Sequence, residues 1–399
     1  MKSLRIAMLT YSLRPRGGVV HALEVAEALA RRGHEVELMA LGGPGESFFR
    51  EPEVPFRIVR YERLEESFDE HIKAMIACYR DGLAGPLGDG RFDLVHSQDC
   101  ISANAAAELR AQGVVPHVVR TVHHVDAFCS PSLIECQARS ILDPDAVLCV
   151  SHPWVQRLER EFGVHAGLVR NGVDRSRWRP AHDVAERERD RAAAGFDGHL
   201  AVLNVGGIEP RKGSLTLLDA FARLRALLPE RDPLLVLVGG ATLFDHRHEV
   251  DLFRARLAEL GIGGSVRVLG SLPDGELEHL YRAADLFAFP STNEGFGLAA
   301  LEALACELPV VASDLDAFRT FLEHGCSALL VPVGDSRALA GALARLARSS
   351  IEREQLRAGG RQVAASYTWD RAVVKHEHAY TELLGSLPRG PGRVAESLQ

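Results

Sequence analysis

Lysine is almost absent from this chain: of 46 basic residues only Lys2, Lys73, Lys212 and Lys375 carry an ammonium group. An ammonium is a compact point charge and a guanidinium a planar fork, so the lysine beside Arg211 marks a place where the point charge is wanted. Basic runs are missing too, and the net charge is -8. Nucleic acid is therefore excluded as the expected partner, while a small basic patch touching a membrane surface stays open. No apolar run reaches the length of a membrane span. The opening Met1–Thr10 turns polar too quickly for a signal peptide and reads as a first strand, which points to a cytosolic protein. The seven cysteines (78, 100, 129, 136, 149, 306 and 326) are odd in number and form no C-x-x-C pair. That excludes a disulfide framework and fits reduced, buried thiols. Cys129 and Cys136 lie near His123, His124 and Asp126, but the spacing matches no standard zinc pattern, and no metal ligand is assigned. The dinucleotide fingerprint G-x-G-x-x-G is missing as well. The loops after the first strand of each half, Tyr11–Gly18 and Gly206–Gly213, lack that spacing, which excludes NAD.

What is present is an ordinary globular composition, 46% apolar and 25% charged, over 399 residues, enough for about two or three domains. Short aliphatic runs alternate with helical patterns. Strands are predicted at 4–10, 35–41, 56–61, 92–98, 117–123, 146–151 and 167–170, with a helix at 19–32 whose apolar positions Val19, Leu23, Ala26, Leu29 and Ala30 recur at helical spacing. The pattern restarts with strands at 201–205, 234–238, 265–269, 286–290, 309–312 and 328–331 and helices at 214–228, 250–260 and 274–284. Such alternation implies α/β architecture, parallel sheets with helices on both faces. The boundaries are an N-terminal Rossmann-like domain over 1–172, a polar surface connection over 173–199 and a second Rossmann-like domain over 200–365. A C-terminal helix over 366–387 is expected to return to the first domain, before a flexible tail over 388–399. Two doubly wound domains face each other across a cleft, with ligands at the carboxyl ends of the strands.

Within the second half, Glu302 sits where a carboxylate has no structural role. The helix around it, Leu298–Cys306, is apolar nearly all round, with Leu298 and Ala299 one turn back and Ala305 and Cys306 one turn on. An ionised carboxylate there costs several kcal/mol unless something hydrogen-bonds it. A second carboxylate, Glu294, lies in the loop that opens the helix. A helix start behind Gly295-Phe296-Gly297 offers free N–H groups and a partial positive charge, which suits a phosphate. The sequence therefore marks a ligand site.

These residues carry a family resemblance. Pro290-Ser-x-x-Glu294-Gly-Phe-Gly-Leu-x-x-Leu-Glu302-Ala-Leu-Ala, followed by Leu308-Pro-Val-Val-Ala-Ser313, resembles the E-x7-E signature of the family 4 retaining glycosyltransferases of GT-B fold. Gly17-Gly18 before a helix ending in Arg32-Gly-His-Glu-Val36, Thr121-Val-His123, Asn171-Gly-Val-Asp174 and Lys212-Gly213 follow in the order the family shows. The resemblance implies a nucleoside diphosphate sugar as donor, a hydroxyl acceptor and no cofactor. It implies Glu302 on the ribose hydroxyls, Glu294 on the sugar hydroxyls, and the N–H groups of Phe296, Gly297 and Leu298 with Lys212 on the diphosphate. Gly18 admits the opposing loop, His123 sits by the reacting sugar, and Gly270, Ser271 and Leu272 hold the base through backbone.

The family places an arginine where this chain has Gly207, and Arg211 is the candidate to supply that charge from another point. Each residue also has a plainer role: Lys212 a solvated first-turn lysine, His123 a satisfied core histidine, Glu294 a helix cap, Gly17-Gly18 a tight turn. His124 fits a core position, and the pairs His246/His248 and His376/His378 are read as surface residues. The chemistry implied is front-face transfer with retention, metal-independent in the absence of an Asp-x-Asp suited to a metal diphosphate. A sugar-nucleotide epimerase or hydrolase of the same fold, or a non-catalytic nucleotide-sugar-binding protein, are the alternatives.

Overall fold

The computed structural model describes residues 3–62, 67–88, 90–128, 130–240, 247–273 and 275–386. Cys129, His246 and the tail at 388–399 lie outside these.

Seven strands build the first sheet: β1 (Arg5–Thr10), β2 (Glu35–Gly42), β3 (Phe56–Arg60), β4 (Leu94–Ser97), β5 (Val118–Val122), β6 (Ala146–Cys149) and β7 (Gly167–Leu168). They are parallel and ordered β3-β2-β1-β4-β5-β6-β7. Five helices join them: α1 (Gly17–Arg31), α2 (Phe68–Leu87), α3 (Cys100–Ala111), α4 (Pro131–Leu142) and α5 (His152–Phe162). After α6 (Val184–Ala194) a second parallel sheet follows, in the order β10-β9-β8-β11-β12-β13. Its strands are β8 (Leu200–Val205), β9 (Pro233–Val238), β10 (Val266–Val268), β11 (Leu286–Phe289), β12 (Val310–Ser313) and β13 (Leu329–Val331). Its helices are α7 (Ser214–Leu227), α8 (Arg247–Glu259), α9 (Glu276–Ala283), α10 (Leu298–Ala305), α11 (Asp316–Arg319), α12 (Ser336–Arg348) and α13 (Ser350–Ser366). Both sheets read as near-continuous apolar strands because helices cover both faces.

The last helix, α14 (Trp369–Ser386), leaves the second sheet. It puts Trp369, Val373 and Tyr380 into the core that Ile6, Met8, Leu23 and Ala26 build around the first sheet. The two crossings run side by side: Val173 N–H donates to Tyr367 O at 2.9 Å. A Cβ at Gly172 would collide with the Trp369 amide, so the close pass needs glycine there. No helix among the described residues is long and apolar enough to cross a membrane.

Three expectations are corrected. The polar stretch before residue 200 contains α6 rather than only a surface connection. Arg187 and Arg191 reach Asp285 at 2.8 and 3.0 Å, and Asp190 is buried against Arg282 at 2.6 Å. The helix docks through ion pairs where an apolar stripe would be the usual signal. The strand expected to run through His123 stops at Val122. His376, read as a surface residue, is fully buried, while His248 and His378 are exposed.

Candidate active site

The carboxyl ends of the two sheets enclose a cavity of ≈ 980 Å³ between the domains. The α/β rule places ligands at such strand ends. From the second domain come Lys212, Arg211, Glu294, Phe296, Gly297, Leu298, Glu302, Ser271 and Leu272; from the first come Gly18, His123 and His124. Gly270 is not among the lining residues. It takes a left-handed φ of +69° and its carbonyl accepts from Gly239 N–H at 2.9 Å, fixing the turn that presents Ser271.

Helix α10 begins at Gly297, whose φ of +108° suits only glycine. A Cβ there would also stand 2.7 Å from the Phe318 ring. Its carbonyl accepts from Ala300 and Leu301 N–H at 3.0 and 3.2 Å. The amides of Phe296, Gly297 and Leu298 donate to nothing among the described residues, so the helix presents open donors to the cavity. Phe296 is anchored by stacking on Phe321 at 4.7 Å.

Beside these amides, Lys212 Nζ lies 2.5 Å from Glu294 Oε1, which also accepts from Ser291 Oγ at 3.0 Å. Arg211 reaches Glu294 Oε2 at 3.5 Å and Glu209 Oε2 at 2.9 Å. Both side chains leave the short 3-10 turn Pro210–Lys212 and reach different oxygens of the Glu294 carboxylate. Burial pushes the Lys212 ammonium down. Burial would lift Glu294, but the charges of Lys212 and Arg211 outweigh it and hold the carboxyl below its usual range. At Gly207 a Cβ would stand 3.0 Å from both Glu209 Oε1 and Gly240 O, a tight fit for any side chain.

Glu302 is buried, and burial raises its carboxyl to about 7. Its Oε2 lies 3.2 Å from the Tyr281 hydroxyl, which is 3.0 Å from Ala299 O as well. With one proton to give, Tyr281 serves one of them. Across the cavity Glu24 of α1 is likewise raised to about 7 by burial, against the opposing charge of Arg50.

His123 stands at the end of β5 with Nε2 at 3.0 Å from Gln98 Oε1. A Cβ on Gly18 would come within 3.3 Å of the His123 ring, so the bare glycine sets α1 against the histidine. The second domain closes on the same residue: a Cβ on Gly295 would collide with the His123 carbonyl oxygen. Trp154 Nε1 of α5 donates to Glu294 O at 2.9 Å beside it. His124 also lines the cavity, paired with Asp126 at 3.0 Å, so it is not turned into the core. Among the described residues no group of three or more His, Cys, Asp or Glu is placed to hold a metal ion; Cys136 is buried against α3, and Cys129 lies outside the described residues.

Reading from sequence missed Gln98, Glu24, Tyr281, Trp154 and the contact made by Gly295. Gly295 stood inside the quoted signature, and the absent side chain was the available signal. The others come from three helices and from the loop after β4, which only folding brings to the cleft.

Comparison with known proteins gives the family and the fold. Residues 15–177 match the family described as Glycosyltransferase Family 4, and residues 186–363 match Glycosyl transferases group 1. The D-inositol 3-phosphate glycosyltransferase of Jonesia denitrificans is 30% identical over 434 residues, covering 99% of this chain and 97% of that protein. The protein of the same name from Frankia alni is 33% identical over 390 residues, covering 91% and 95%. Among solved structures, Anabaena HepE in complex with UDP-glucose superposes with a TM-score of 0.76 at 19% identity, covering 96% of this chain and all of that one (100%). Sucrose-phosphate synthase from Thermosynechococcus elongatus gives 0.77 at 22% identity, with coverage of 96% and 100%. The chain belongs to the family 4 glycosyltransferases and has their two-domain GT-B fold.

Proposed function

We propose that the protein moves a sugar from a nucleoside diphosphate sugar to an acceptor hydroxyl, with retention of anomeric configuration and without a metal ion. The observation that carries this is the open start of α10. Three free amides, Lys212, Glu294 and Glu302 surround one space, and His123 faces it from the other domain. The diphosphate lies on the amides and Lys212, where a helix start and an ammonium favour a dianion. Glu302 accepts from the ribose hydroxyls and Glu294 from the sugar hydroxyls, while Ser271 and Leu272 border the base. Arg211 stands in for the arginine missing at Gly207.

In the reaction the bond from sugar C1 to the β-phosphate oxygen breaks and a bond from C1 to the acceptor oxygen forms on the same face. The acceptor proton passes to the leaving diphosphate. Charge grows on that diphosphate, and preorganised donors aimed at it lower the barrier without reorganising. The chain thus contributes position and charge rather than a nucleophile, and domain closure keeps water out. UDP is the first donor nucleotide to try, since HepE was solved with UDP-glucose. A phosphorylated cyclitol is the first acceptor, after the named relatives. A cytoplasmic location fits a soluble nucleotide-sugar donor.

Incubation with a panel of labelled nucleotide sugars and polyol acceptors, with products resolved by NMR, separates the possibilities. Transfer to acceptor with the donor's anomeric configuration supports the reading. Isomerised or hydrolysed donor alone, or donor bound and unchanged across the panel, contradicts it.

A further inference from the structure

A file of hydrogen-bonded side chains runs from helix α14 to the cleft. The Tyr380 hydroxyl lies 2.7 Å from His96 Nδ1. His96 Nε2 is 2.7 Å from Thr121 Oγ1 and 3.2 Å from Gln98 Nε2, and Gln98 Oε1 is 3.0 Å from His123 Nε2. Tyr380, His96, Thr121 and Gln98 are all buried, in a setting where each polar group needs a partner. The orientation of Gln98 decides the polarity of the file. Its NH2 end lies 3.1 Å from Met8 Sδ, a thioether that can only accept, and 3.2 Å from His96 Nε2. Its carbonyl end is therefore left for His123. A carboxamide oxygen only accepts, so the proton of His123 sits on Nε2.

Burial keeps His123 well below its ordinary range. The ionisable groups acting on it are His21 of α1, Arg120 of β5, His124 and His96 of β4, and all push the same way. The ring is neutral and holds one proton. The edge carrying Nε2 faces Gly18 and Gln98. The other nitrogen, Nδ1, makes no hydrogen bond among the described residues and keeps its lone pair.

We infer that Gln98, backed by His96 and Tyr380, is a positioning residue that locks His123 in the Nε2–H tautomer, so that Nδ1 accepts a hydrogen bond from a hydroxyl of the bound sugar. The assignment of sugar to that space rests on the function proposed above; the tautomer does not. Tyr380 belongs to the helix that crosses back from the second domain. The returning helix thereby fixes which way His123 can hydrogen-bond, in addition to filling the core.

The test uses the full chain labelled with 15N-histidine, with the His123 signal identified by its loss in His123→Gln. Two-bond correlations report which ring nitrogen is protonated. Wild type should show the Nε2–H form at neutral pH, and Gln98→Leu a mixture of both. In turnover, Gln98→Leu should lower kcat by about tenfold with donor KM nearly unchanged, the mark of lost orientation. Tyr380→Phe should shift both readouts in the same direction and less. Gln98→Glu keeps the shape and places a carboxylate on Nε2. It should hold His123 charged at neutral pH, removing the acceptor on Nδ1, so that activity returns as pH rises while wild type stays flat. Gln98→Glu also serves if the leucine variant fails to fold. A wild-type proton on Nδ1, a tautomer unmoved by Gln98→Leu, or a wild-type pH profile in Gln98→Glu would overturn the inference. Because the tautomer is read without substrate, its failure is distinct from failure to find sugar transfer.

Discussion

Lys212 and Glu294, 82 residues apart in sequence, meet at 2.5 Å between Nζ and Oε1 on the floor of the interdomain cleft. Each comes from a loop at the carboxyl end of a neighbouring strand, β8 and β11. Both are largely out of water, and breaking one side of such a pair leaves a buried charge uncompensated. Lys212→Met should therefore lower both thermal stability and nucleotide affinity. Adding Glu294→Gln to Lys212→Met should recover the stability and leave the affinity low. Recovery of both in the double variant, measured by thermal unfolding and calorimetry, would make the pair structural only.

The Glu302 carboxyl, raised to about 7 by burial, gives a stability signature with a definite sign. Its folded form holds the proton more tightly than the unfolded chain, so this stabilisation is greatest in mild acid. It is lost as pH rises from the ordinary carboxyl range through about 7. Glu302→Gln should melt higher than wild type near pH 8, with the gap closing toward pH 5, while nucleotide affinity drops on the order of tenfold. Melting curves at both pH values check the first part. A variant that is less stable at pH 8 would show that the ionised carboxylate stabilises the fold.

Histidines give the opposite slope. Burial lowers His21 to about 3 and His376 to about 4, and each has a buried Nε2 without a hydrogen bond among the described residues. A base depressed in the folded state contributes stability above its unfolded value, and that contribution is lost as pH falls toward the folded value. The melting temperature should fall with acid below about pH 6.5. His376→Gln should reduce the drop between pH 7 and pH 5, and an unchanged drop would mean His376 is already charged in the fold.

Gly295 offers a test of domain closure. A Cβ there would strike the His123 carbonyl oxygen, so Gly295→Ala should hold the two domains apart. The expected loss in kcat/KM is about a hundredfold, with melting temperature little changed, since each core is untouched. Equal activity in the alanine variant would mean the two loops separate during turnover.

The alternation of apolar runs and helical patterns made both sheets legible, because buried parallel strands must be apolar on both faces. The Glu294–Glu302 region was legible for the converse reason: charge in an apolar helix stands out. Helix α6 escaped since its docking uses Arg187, Arg191 and Asp190 rather than an apolar stripe. His376 and His378 looked like a surface pair, yet residues two apart on a helix point in different directions. One is buried and the other exposed. Strand alternation would have sent His124 away from the cleft, but β5 ends at Val122 and both histidines line the cavity. His124→Ala is consequently no silent control for His123→Ala; exposed His248 is. The file from Tyr380 to His123 spans elements 284 residues apart at its His96–Tyr380 step, and no local pattern announces it.

The account stands on the nucleotide site proposed at α10, Lys212 and Glu302, and calorimetric titration with a nucleoside diphosphate in EDTA tests it most directly. Wild type should bind, since the amides and Lys212 supply the positive charge. Glu302→Gln and Lys212→Met should each weaken binding by about tenfold or more while remaining folded. Binding that requires added magnesium or manganese, or that is equal in all three proteins, would contradict it.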